Sequence, residues 1–116
     1  MPDCVFCRIV SGEIPASIVY EDSDVVAFDD VNPQAPTHVL VVPRRHVARI
    51  SDFGDGAEEA RLIGRLHQAA NTVAARRGIV EQGYRLVINC NEGAGQSVWH
   101  VHLHLLGGRA FGWPPG

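Results

Sequence analysis

The 116-residue chain has no apolar run long enough to cross a bilayer. Stretches such as VLVVP fall far short of the roughly 20 residues that a spanning helix needs. Its opening residues, MPDCVFCRIV, show no basic region followed by an apolar segment of signal length, so the expectation is a cytoplasmic protein without membrane attachment. No basic stripe runs along the chain, and a net charge of −3 gives no electrostatic case for nucleic acid. Cysteine is scarce and odd in number, three in all, which speaks against a disulfide framework in a reducing compartment. Internal repeats and low-complexity tracts are absent. A Walker A sequence is missing too, as is an obvious carboxylate cluster for magnesium, and this argues against P-loop triphosphate chemistry.

What remains is one small globular domain spanning 1–116, long enough for a single core. ASIVYED and DVVAFDD are β-branched runs separated by a polar stretch, a hairpin signal. The two prolines of NPQAPTH make it a loop. HVLVVPRRH reads as a strand ended by Pro43, and YRLVINC and WHVHLHLLGG as two further strands joined by the glycine-bearing loop NEGAGQS. Between them the period changes: Ile63, Leu66, Ala70, Val73 and Ala74 fall at helical spacing. Asp52 or Asp55 is the expected cap, Glu58 and Glu59 suit the first turn, and Arg76, Arg77 and Gly78 form a stop signal. The N-terminal part reads as turns and short strands, and FGWPPG as irregular. Strands in neighbouring runs with one helix inserted predict an antiparallel α+β domain.

Three of the six histidines, His100, His102 and His104, occupy alternate positions of one apolar stretch. In a strand they share a face, while Val101, Leu103 and Leu105 point into a core. A single metal held by all three is disfavoured by geometry, because the outer two lie about 13 Å apart along a straight strand, whereas zinc ligands sit at about 2.0–2.1 Å. Separate roles fit better. A neutral imidazole can attack phosphorus and later leave, which splits one difficult substitution into two easier ones. A neighbouring histidine can handle the proton. Backbone donors in a loop such as NEGAGQS can hold the non-bridging oxygens.

With these residues in place, the chain resembles the histidine triad (HIT) superfamily, and most of all its branch of histidine triad nucleotide-binding proteins, which act as purine nucleoside phosphoramidases. GEIPASIVYED, FDDVNPQAPTHVLVVPRRH, GYRLVINCNEG, GQSVWHVHLHLLGGR and WPPG carry the resemblance over nearly the whole length. It implies a HIT-like fold with an antiparallel sheet of about five strands and one main helix, and a two-fold homodimer with joined sheets. Residues 107–116 would form a tail near the partner's site.

The implied activity is hydrolysis of nucleoside 5′-phosphoramidates, through a nucleotidyl-histidine, on purine nucleoside monophosphate derivatives. His102 would be the nucleophile and His104 the proton donor or fixed hydrogen-bond partner. His38 and His100 would support the nucleophile, and Ser97 would lie at the phosphate. Asn89, Gly95 and Gln96 match phosphate-region positions, and Asp30 matches the carboxylate that binds the ribose. Phe6, Ile9, Phe28 and Val31 would wall the base pocket, with Trp113 in the tail. His104, where a related branch carries glutamine, favours hydrolysis over nucleotidyl transfer. No cofactor is implied for the chemistry. Cys4 and Cys7 depart from many members of the branch, but other superfamily members hold a structural zinc there. By that resemblance Cys4, Cys7, His46 and His100 form the ligand set.

Plainer roles stand beside these. Asn89 and Ser97 can satisfy loop backbone groups, Asp30 can be a turn residue, and Phe6, Ile9 and Phe28 can be core. Cys4 and Cys7 can be packed thiols, and His46 can be merely exposed. Cys90 reads as core, and His67 carries no assigned role. A dinucleoside polyphosphate hydrolase, a nucleotide-sensing or scaffold module and a zinc-storage protein remain competing functions.

Overall fold

Alternation and its loss explain the architecture. The structure, a computed structural model, describes residues 3–116. Its elements are α1 (Val5–Val10), β1 (Ile18–Glu21), β2 (Val25–Asp29), β3 (Thr37–Pro43), α2 (Ala57–Arg76), β4 (Tyr84–Ile88) and β5 (Leu103–Gly107), with short 3₁₀ turns at Ile50–Asp52 and Glu92–Ala94. The five strands form one antiparallel sheet in the order β1-β2-β3-β5-β4. The expected α+β class and hairpin are present.

Both faces of the central strands are covered, which is why β2 and β3 read as nearly unbroken apolar runs. Val25, Ala27, Val39, Val41, Leu103 and Leu105 share one core with Leu66, Ala69, Ala70 and Val73 of α2. Val26, Phe28, Leu40 and Val42 face the other way and pack with Cys4 and Phe6. That second face carries His38 and His104. Leu40 is the register partner of His104 and His38 that of Leu106, so the two imidazoles are diagonal neighbours across β3 and β5.

Several expectations are corrected. The N-terminal segment is helical at α1, whose first turn is capped by the Cys4 thiol accepting from the Cys7 amide at 3.3 Å. Neither Asp52 nor Asp55 caps α2. Gly56 holds that position without a side-chain bond, although Glu58 and Glu59 do occupy the first turn. Leu62 and Ala69 are buried in α2, whereas Ile63 is only half-buried, so the apolar face is rotated from the one read in the sequence. β4 ends at Ile88, before Asn89 and Cys90, and Cys90 is half-buried against Ser51 rather than in either core. Regular pairing in β5 begins at Leu103, so only His104 of the three alternate histidines belongs to the ladder. Ahead of it, the Val101 amide donates to the Val47 carbonyl at 2.8 Å. Side-chain alternation nonetheless persists, with Val101, Leu103 and Leu105 in the α2 core.

Glycine is required where β5 leaves the sheet. A Cβ on Gly107 would lie 2.5 Å from Ile79 Cδ1, and one on Gly108, at φ +89°, would lie 2.8 Å from Pro36. Gly107 closes the strand, so the tail proper starts at Gly108. It rests on its own chain: Arg109 Nε donates to the Gln34 carbonyl, and Arg85 donates to the Gly112 carbonyl at 2.9 Å. No helix among the described residues is long and apolar enough to cross a membrane.

Candidate active site

Two clusters of side chains meet along the segment 100–104. In the first, His100 is fully buried and its Nε2 donates to the Pro43 carbonyl at 2.8 Å. Because Nε2 carries the hydrogen, Nδ1 of the neutral ring presents a lone pair. That lone pair faces Cys4 Sγ at 3.3 Å, Cys7 Sγ at 3.5 Å and His46 Nδ1 at 3.3 Å. Cys7 Sγ in turn lies 3.2 Å from His46 Nδ1. All four donor atoms fall within 4.8 Å of one another. Tetrahedral ligands at about 2.0–2.3 Å from zinc lie roughly 3.3–3.8 Å apart, so the spacing suits a closed Cys2His2 site. The carbonyl fixing His100 from behind is the outer support such ligands usually have. Burial raises the Cys7 pKa, the neighbouring Cys4 raising it further, and a bound cation would reverse that penalty. These residues fit a structural zinc.

In the second cluster, His102 Nδ1 donates to the His100 carbonyl at 2.8 Å. The ring's remaining nitrogen, Nε2, therefore carries the lone pair. His102 is only 6% exposed and lines a cavity of about 590 Å³, a volume in the range of small-molecule sites. Phe6 packs edge-on against both His102 and Phe28, with ring centroids 5.2 and 5.4 Å away.

His104 is held by a different chain of bonds. The Gln34 amide donates to His38 Nδ1 at 3.0 Å. This leaves the hydrogen of neutral His38 on Nε2, which donates to His104 Nδ1 at 2.9 Å. His104 must then carry its own hydrogen on Nε2. An Asp30 carboxylate oxygen sits 3.4 Å from His38 Nε2, while the other accepts from the Asn32 amide at 2.8 Å. Burial lowers the His38 pKa, with Asp30 opposing it. Burial, then the neighbouring His102 and His38, lowers that of His104 to about 4. For His100 the value is also about 4, chiefly through burial. At neutral pH the His38 and His104 rings are therefore uncharged, and His104 presents Nε2–H as a hydrogen-bond donor.

The sequence-derived candidates separate clearly. Phe6, Ile9, Phe28, Asp30, Val31, Ser97, His102 and His104 all line the cavity. Val5, Asp29, Leu40, Val98 and the Ile14–Ser17 segment complete it, unforeseen because nothing in their residue types marks them. Gln96 is buried, and its amide is engaged by the loop itself: Oε1 accepts from the Asn91 amide, and Nε2 donates to the carbonyls of Ala48 and Val98. Gly95, at φ +88°, closes the turn after Glu92–Ala94. Asn89 is half-buried and does not line the cavity. Trp113 is 85% exposed and does not line its own chain's cavity. The Gln34 amide and the carbonyls of Pro43 and His100 set the ring tautomers, and backbone groups leave no signature in residue identity.

Fold and site together define an α+β domain with alternate histidines at the floor of a small-molecule cavity. The HIT domain family matches residues 11–111, and the chain belongs to that family. Among its relatives, an uncharacterized HIT-like protein of Synechococcus elongatus is 48% identical over 98% of this chain and 97% of its own. The purine nucleoside phosphoramidase of Escherichia coli K12 is 44% identical over 95% of this chain and 91% of its own. The crystal structure of a HIT family hydrolase from Legionella pneumophila superposes with a TM-score of 0.94 at 50% identity, covering 98% of this chain and all of the other.

Proposed function

We propose that the protein hydrolyses purine nucleoside 5′-phosphoramidates through a nucleotidyl-His102 intermediate. The observation that carries this reading is the 2.8 Å bond from His102 Nδ1 to the His100 carbonyl, which leaves Nε2 free to attack. The base lies among Phe6, Ile9, Phe28 and Val31, and Asp30 receives the ribose hydroxyls. The phosphoryl group meets His102, with His104 Nε2–H donating to one of its oxygens. The Ser97 amide supplies a further donor, while Gly95 and Gln96, whose amides are bonded within the loop, and Asn89 at its entry hold that loop in place.

In the first step, His102 Nε2 forms a bond to phosphorus and the P–N bond breaks. Its electron pair stays on nitrogen, which takes a proton delivered from solvent through the Ser97 hydroxyl and leaves as the amine. Water then attacks phosphorus, the Nε2–P pair returns to His102, and the water proton passes to solvent. The products are a nucleoside monophosphate and an amine. His104 stabilises the charge that develops on oxygen, an electrostatic role that its low pKa suits. A zinc at Cys4, Cys7, His46 and His100 would hold the N-terminal helix against this segment and take no part in bond making.

The E. coli phosphoramidase among the relatives supports the substrate class. We further propose a homodimer joined through the outer edge of β4, with the tail from Gly108 and its Trp113 reaching the partner's cavity, working in the cytoplasm, where thiols stay reduced. The test is turnover of adenosine 5′-phosphoramidate by wild type and His102→Ala. Turnover is expected to vanish in the variant while AMP still binds; wild-type levels of AMP release from the variant would refute the assignment.

A further inference from the structure

A second recess, of about 380 Å³, adjoins the nucleotide cavity. Val5, Ser97 and Val98 line both, so the two share a wall. His102 and His104 face only the first, and Asp3, His46 and Trp99 only the second. The second recess contains two of the chain's exposed large apolar side chains, Val5 at 40% and Trp99 at 41%.

We infer that this recess seats the leaving amine and selects for apolar, above all aromatic, amines. The inference rests on the phosphoramidase reading. In an in-line displacement the departing group lies opposite the nucleophile. With His102 at one side of the phosphorus and Ser97 at the junction, the nitrogen's substituent is directed past Ser97 toward Trp99. The indole is a rigid platform: the Arg49 guanidinium lies 5.3 Å from its ring centroid, a cation–π contact that fixes its orientation. Cys4 and His46 form the inner end, so the cluster that fits zinc also stiffens this wall. Asp3, an exposed residue, also lines it. Aromatic side chains stack on such a platform with a geometry that a small amine cannot exploit.

Turnover of adenosine 5′-phosphoramidates made from ammonia, butylamine and phenethylamine tests this. Wild type should favour the phenethylamine compound over the ammonia compound in kcat/KM, and Trp99→Ala should reduce that ratio about tenfold, the scale of one apolar pocket contact. Trp99→Phe should restore most of it, which separates a subsite from a folding defect. An unchanged ratio in Trp99→Ala overturns the subsite. A fall in the mass of the assembly in solution in that variant, with the ratio intact, also overturns it, by assigning the face to a second copy of the chain. If no phosphoramidate is turned over, the phosphoramidase reading fails, and calorimetry still decides the subsite. Tighter binding of the phenethylamine compound than of AMP, lost in Trp99→Ala, supports it. Equal binding of the two, or no nucleotide binding, overturns it.

Discussion

His102 donates from Nδ1 to the carbonyl oxygen of His100, its neighbour two residues back, at 2.8 Å. One bond therefore couples the proposed nucleophile to a residue whose own ring faces the cysteine–histidine cluster. The backbone of His100 sets the tautomer, and the side chain of His100 fixes that backbone.

Under the proposed mechanism, the second tautomer relay, from Gln34 through His38 to His104, gives His38 a positioning role. His38→Gln should lower kcat by about 10–100-fold, the usual cost of losing a partner behind a functional histidine. KM should change little, because His38 does not line the cavity. Steady-state kinetics on adenosine 5′-phosphoramidate checks this; a change confined to KM would contradict it.

Acid should destabilise the protein in a definite window. The folded-state pKa of His104 is lowered to about 4 from 6.5, and that of His38 is lowered as well. Between those two values the unfolded chain binds more protons, so stability is complete above about pH 6.5 and is lost as pH falls toward 4. Thermal melts at pH 7.5, 6 and 5 should show Tm falling with pH. His104→Asn should flatten that slope, and an unaltered slope in the variant would count against the burial of a neutral ring.

Zinc should copurify at one ion per chain. Cys7→Ser should lose it and lower Tm, since a closed Cys2His2 site contributes directly to folding. Elemental analysis of protein expressed without added zinc reads the stoichiometry, and wild-type protein free of any metal would contradict the ligand set.

Gly108→Ala combines a positive φ of +89° with a contact to Pro36 at 2.8 Å, and should cost about 1–3 kcal/mol. Urea unfolding measures it. Leu66→Ala, at a fully buried position of α2, should cost about 2–5 kcal/mol by opening a cavity and leave AMP affinity unaltered, because α2 packs on the opposite face of the sheet.

Much of this was legible from residue order. Alternation around His100, His102 and His104 survives in the fold because Val101, Leu103 and Leu105 anchor one face, even though the ladder starts only at Leu103. α1 was not legible. Six residues carry too little periodicity, and the helix stands on the Cys4 cap and on Phe6 packed against Phe28 and His102. The α2 cap is not legible from the aspartates, because Asp52 closes its own 3₁₀ turn and the helix begins at a glycine with no side-chain bond. Gln96 stands in the expected loop, yet its side chain braces that loop, a distinction that only the partners Asn91, Ala48 and Val98 reveal.

The most direct measurement is rapid quench of wild-type protein mixed with excess adenosine 5′-phosphoramidate, followed by peptide mass analysis at neutral to alkaline pH, where phosphohistidine survives. The expected result is an adenylyl group on His102, formed in a burst faster than steady-state AMP release and absent from His102→Ala. Turnover with no adduct at any time, or an adduct on another residue, would contradict a nucleophilic role for the middle imidazole.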